Sequence, residues 1–168
     1  MNNIIFLDID GVLNHELFYE ERDNSYEKYK TLPYHMQNID KDKVELLNQL
    51  CKSTNSKVVI SSTWRVGRTV EELQNIFKDL DAEFEVIDKT PECSINGYPI
   101  ASGRGSEINY WLGANVDKCQ NYVIFDDDNF DILLSQQNKF IHIDRWVGLT
   151  PTNIFKAECL LLYKEYNG

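Results

Sequence analysis

Short apolar runs rich in isoleucine and valine recur at residues 4–7, 57–60, 84–87, 122–125 and 140–143, and none alternates strictly with polar residues. Runs of that length without alternation read as strands buried on both faces. The segments between them repeat apolar residues at helical spacing. Val44, Leu47, Leu50 and Cys51 make one stripe; Val70, Leu73, Ile76 and Phe77 make another, opened by Thr69 and Glu72 as a capping box. Ile108, Trp111 and Leu112 make a third that stops at Gly113, and residues 131–137 suit a short fourth. The last helix starts at Thr150-Pro151, a capping threonine with proline at the first helical position, and carries Ile154, Ala157, Leu161 and Leu162 on one side. Strands alternating with helices predict an α/β domain: a mostly parallel five-stranded sheet, helices on both faces, right-handed crossovers. Ligands of such sheets bind beyond the carboxyl ends of the strands, near a reversal of strand order. Chemistry-bearing residues should therefore follow the apolar runs.

They do. Asp8 and Asp10 follow the first run, Ser61, Ser62 and Thr63 the second, Asp88 and Lys89 the third, and Asp126, Asp127 and Asp128 the fourth. Carboxylates forced together repel one another, and a cation is the simplest remedy. The ligands on offer are hard oxygens, which suit Mg²⁺. Beside such an ion Asp8 can attack phosphorus as a nucleophile. Asp10 can serve as general acid and then base, and Gly11 lets the chain turn tightly there. A phosphoryl group also needs donors: the Ser61 hydroxyl and the Ser62 backbone N–H are candidates. Arg104, just before the third helix, is the candidate cation, with Arg65 further out. Neither acidic cluster has the glycine and glutamate spacing of an EF-hand.

Length and charge bound the rest. The 168 residues fit one domain, 1–168. A net charge of −10 argues against an extended nucleic-acid surface, although it leaves room for a short basic pocket. No apolar run approaches the ~18 residues of a membrane span, and the first strand begins almost at Met1 with no signal-peptide pattern. The expected location is the cytoplasm. Cys51, Cys93, Cys119 and Cys159 show no metal or disulfide spacing and read as reduced thiols in or near the core. The scattered His15, His35 and His142 give little support to a histidine metal site. Residues 16–38, dense in charge and tyrosine, break the alternation and read as a long loop or a small insert over the strand ends.

Taken in order, these motifs resemble the haloacid dehalogenase (HAD) superfamily of phosphohydrolases. Asp8-Ile9-Asp10-Gly11 matches the family's first motif, Ser61 the second, Arg104 the third and Asp126-Asp127 the last. The resemblance implies a Rossmann-like core with a minimal cap. It implies Mg²⁺ held by the Asp8 carboxylate, the Asp10 backbone carbonyl and Asp126, with Asp127 close by. It also implies that Asp8 is phosphorylated and that Asp10 handles protons. "SSTWR" and "GRGSEINYWL" are similar to a branch of small HAD domains found with nucleic-acid repair enzymes, and to polynucleotide 3′-phosphatases; by that likeness Arg65 holds substrate. The third motif is more often lysine, and Lys89 is the rival to Arg104. Only residues 16–38 and 92–103 are placed to cover the site, which favours bulky phosphorylated substrates such as a nucleic-acid end gripped through Arg65, Arg104 and Trp64. Free nucleotides and other small phosphates are alternatives. Two readings from other classes stay open: a phospho-accepting receiver domain and an inactive HAD core used for binding.

Overall fold

A computed structural model describes residues 1–92, 94, 95, 98, 99 and 103–163 of the chain. In order, the main elements are β1 (Asn2–Leu7), α1 (Glu16–Asn24), α2 (Tyr26–Tyr29), α3 (Tyr34–Asn38), α4 (Lys41–Thr54), β2 (Ser56–Ile60), α5 (Val70–Lys78), β3 (Val86–Lys89), β4 (Ser94–Ile95), β5 (Tyr98–Pro99), α6 (Arg104–Ala114), β6 (Cys119–Asp126), β7 (Phe140–His142) and α7 (Pro151–Leu162). Among the described residues, five strands form one parallel sheet in the order β3-β2-β1-β6-β7. β4 and β5 pair as a small antiparallel ribbon. The chain leaves β1 in one direction for β2 and β3, then returns to its other edge as β6 and β7. The reversal falls between β1 and β6, where a doubly wound sheet opens a crevice.

The pleat of the central strands builds both cores. Ile5, Leu7, Val58, Ile60, Val123 and Phe125 face α4, α5 and α7 through Leu47, Leu73, Phe77 and Ala157. Ile4, Phe6, Val59 and Ile124 face the opposite way, toward Ile108 and Trp111 of α6. Phe6 meets Trp111 and Tyr122 edge-on at 5.4 and 5.8 Å. Each strand is thus buried on both sides, which is why none alternates in sequence.

The helix ends follow the side chains that cap them. Thr69 with Glu72 and Thr150 with Asn153 form the capping boxes of α5 and α7. Several expectations shift. β3 begins at Val86 because Phe84 is drawn into the core against Phe77, 5.3 Å between ring centres, so Asp88 and Lys89 lie inside the strand. Arg104 is the first residue of α6. Residues 134–139 form a 3₁₀ helix in place of an α-helix over 131–137. Leu162 is exposed at the end of α7. Residues 16–38, expected as a long loop or a small insert, hold the three short helices α1–α3. Cys51, Cys119 and Cys159 are free thiols, and Cys93 lies outside the described residues. No described helix is long and apolar enough to cross a membrane.

Candidate active site

The carboxyl ends of the central strands finish in step. The Asp8 N–H donates to Phe125 O (3.0 Å), Ser61 N–H to Leu7 O (3.0 Å), Thr90 N–H to Ile60 O (2.9 Å) and Ile143 N–H to Asp126 O (2.9 Å). The ladder therefore runs one residue past β1, β2, β3 and β7 and fixes Asp8, Ser61 and Thr90 along one edge with Asp126, the last residue of β6. Oxygens of Asp8, Asp126 and Asp127 lie within 4.8 Å of one another. Asp8 and Asp126 are buried, at 5% and 2% exposure.

Arg104 is the cation that reaches them. Its Nη1 lies 2.8 Å from Asp8 Oδ1 and 2.9 Å from Asp126 Oδ2. Burial works against the guanidinium's charge, but Asp8, Asp126 and Asp131 outweigh it and its pKa rises. Arg145 lies 4.0 Å from Asp127, and the two arginines do not balance the three acids. Burial pushes Asp126 up to about 7, opposed by Arg104 and reinforced by Asp8 and Asp127. Asp127 is raised for the same reasons, burial first and Asp8 second. Lys89 is engaged elsewhere: its ammonium donates to Arg65 O and Arg68 O.

Around this centre the turns are tightly specified. Gly11 adopts φ +77°, and a Cβ there would overlap the Asp127 carboxylate. Asn14 closes the same turn, accepting from Gly11 N–H and donating to Asp10 Oδ1, both at 2.8 Å. Asp10 is exposed at the rim. The Trp64 indole N–H also reaches it, 3.1 and 3.2 Å from the two carboxylate oxygens. The Ser61 hydroxyl is fully buried and has no hydrogen-bond partner among the described residues. Ser62 caps the 3₁₀ turn Thr63–Arg65 with its hydroxyl.

Arg65 sits apart from the acids and points inward. Its guanidinium donates to the carbonyls of Ser61, Ser62 and Thr90 and pairs with Glu107 on α6 at 2.7 Å. At 5% exposure it braces β2, β3 and α6 together, and the structure turns it to the protein's own carbonyls rather than outward to a substrate. Asp131 is the main participant that sequence reasoning missed. It accepts from Arg104 N–H at 2.8 Å and lies against Gly103 so closely that a Cβ there would overlap it. The pairing spans 27 residues, and the only local signal was a glycine directly before the arginine.

A carboxylate centre at the reversal of a parallel sheet defines an α/β domain of the Rossmann-like class. Counting only the five parallel strands in chain order, the sheet runs 3-2-1-4-5, which differs from the 2-1-3-4-5 of receiver domains and removes that alternative. Comparison with family models goes further. The model of the HAD domain in Swiss Army Knife RNA repair proteins matches residues 4–154, and the chain belongs to that family within the HAD phosphohydrolases. No curated protein and no solved structure matches the chain significantly.

Proposed function

We propose that this chain is a Mg²⁺-dependent phosphomonoesterase working through an aspartyl-phosphate, with a nucleic-acid 3′-phosphate end as its leading substrate. The observation that carries the reading is the crowding of Asp8, Asp126 and Asp127, with Arg104 bridging the first two. The donor set is all hard oxygen, and its three carboxylates outnumber the two guanidinium groups beside them, Arg104 and, 4.0 Å from Asp127, the more exposed Arg145, which fits Mg²⁺. Asp8, Asp126 and Asp127, with the backbone carbonyl of Asp10, would hold the ion. When bound it neutralises charge on the transferring phosphoryl group.

The chain's own groups divide the remaining work. Asp8 attacks phosphorus, and its new bond forms as the bond to the ester oxygen breaks. Asp10 gives that departing oxygen a proton, then takes one from the water that attacks the phosphoryl group. Inorganic phosphate leaves and the Asp8 carboxylate is restored. The unpartnered Ser61 hydroxyl and the Ser62 N–H donate to phosphoryl oxygens, and Arg104 offsets their charge.

The family's description names RNA repair proteins, which supports a nucleic-acid end. The net charge of −10 confines contact to the terminal nucleotides. Free thiols at Cys51, Cys119 and Cys159 suit a reducing, cytoplasmic setting. The test is phosphate release, with and without Mg²⁺, from an aryl phosphate, nucleoside 3′- and 5′-monophosphates and 3′-phosphorylated oligonucleotides. Mg²⁺-dependent release that disappears with Asp8→Asn is expected, fastest on the 3′-phosphorylated oligonucleotide. Preference for free nucleotides would move the substrate to small molecules. Wild type that releases nothing, with unaltered binding of the oligonucleotide, would favour an inactive binding core.

A further inference from the structure

We infer that Tyr34 is the subsite for the leaving group, and that the group it takes is a planar ring, the base of a terminal nucleotide. The inference deepens the function proposed above and rests on it in one respect, that Asp10 protonates the departing oxygen. That oxygen has to come to Asp10, so the side chains beside Asp10 are the leaving group's neighbours. Trp64 is one, but it is committed: its N–H is on the Asp10 carboxylate and its ring packs on Tyr34, 5.8 Å between centres at 34°. The Arg68 guanidinium lies 5.9 Å from the same ring, and Trp64 is only 9% exposed. The free aromatic surface next to the acid therefore belongs to Tyr34, which is 69% exposed.

Tyr34 is held in place despite that exposure. It opens α3, its carbonyl accepts from the Asn38 side chain at 2.8 Å, and the neighbouring His35 bonds Asp79 at the end of α5, also at 2.8 Å. Burial chiefly raises the Tyr19 hydroxyl of α1, to about 12, and nearby Asp10 and Tyr34 add to the rise. The Arg22 guanidinium lies 4.7 Å over the Tyr19 ring. The insert thus brings an aromatic wall to the acid's side of the site; Arg22, paired with Asp23 and Asn38, and Arg68, just before α5 and donating to Trp64 O, stand beside it. A nucleotide base fits it, because every base has a face that stacks on an aromatic side chain. An aliphatic phosphate has nothing to place on Tyr34.

The experiment compares kcat/KM on a 3′-phosphorylated tetranucleotide with that on glycerol 2-phosphate, for wild type, Tyr34→Ala and Tyr34→Phe. Tyr34→Ala should lower the ratio of the two about tenfold or more, through KM on the oligonucleotide, and Tyr34→Phe should restore it. An unchanged ratio overturns the subsite. Binding of the same fluorescently labelled oligonucleotide to the Asp8→Asn protein, with and without Tyr34→Ala, decides the matter independently of turnover. Weaker binding with Tyr34→Ala supports the subsite even if no hydrolysis is found, and equal binding overturns it. Full activity of Asp8→Asn would instead sink the proposed mechanism.

Discussion

Arg104 carries the heaviest demand of any single side chain, since it is the cation within 3 Å of both Asp8 and Asp126. Replacing it with methionine keeps much of the stem but leaves the acids facing one another. Steady-state kinetics of Arg104→Met should show kcat reduced by about 10²–10³, the usual cost of losing one charge-stabilising group. Arg104→Lys should recover part of it, because a lysine delivers charge without the planar fork. Much at this scale is legible in the order of residues along the chain. Asp8, Ser61 and Asp126 each follow an apolar run, and a parallel sheet puts such residues on one edge. What is not legible depends on loops that fold back over long stretches. The Trp64 bond to Asp10 spans 54 residues, and the inward turn of Arg65 depends on Thr90 and Glu107, 25 and 42 residues away. No periodicity encodes either contact.

At the scale of elements, α6 is where packing and chemistry meet. Its first residue is Arg104 and its buried face is Ile108 and Trp111. The Asp131 carboxylate holds its first N–H, so Asp131→Ala should cost about 0.5–2 kcal/mol, as loss of a helix cap does. Thermal denaturation would measure that, and kcat should fall beyond what the stability loss explains, because the cap also sets where Arg104 points. Beneath the helix, Phe6→Ala would empty the space between β1, Trp111 and Tyr122. A loss of about 3–5 kcal/mol is expected from chemical denaturation. The helical stripes announce α4 to α7, yet the insert helices α1–α3 escape such a reading. α2 and α3 bury no side chain, so they leave no apolar stripe to read.

For the whole molecule, the crowded acids tie stability to pH. Asp126 has its carboxyl raised from 3.8 to about 7 in the folded state. Between those values the folded protein keeps a proton that the unfolded chain has lost, so its contribution is fully present below about pH 4 and lost as pH rises through 7. The loss is of the order of a few kcal/mol. Melting temperatures without divalent ions should therefore fall from pH 5 to pH 8, and Asp126→Asn should flatten the fall. Added Mg²⁺ should raise the melting temperature more at pH 8 than at pH 5. A slope that persists in Asp126→Asn would point instead to repulsion spread over the net charge of −10.

The position of β1 has a consequence in time. It lies at the middle of the sheet, yet its partner β6 is synthesised about 110 residues after it. Until then β1 has a bare edge made of Ile4, Ile5, Phe6 and Leu7, all of which are fully covered in the finished protein. Such an edge is a template for pairing with other chains. A ribosome that stalls between β3 and β6 would release a sticky fragment lacking Asp126 and Asp127. Asp8 acquires those two partners in the same event that closes the edge, so the nascent chain gains its acid centre and loses its hazard together.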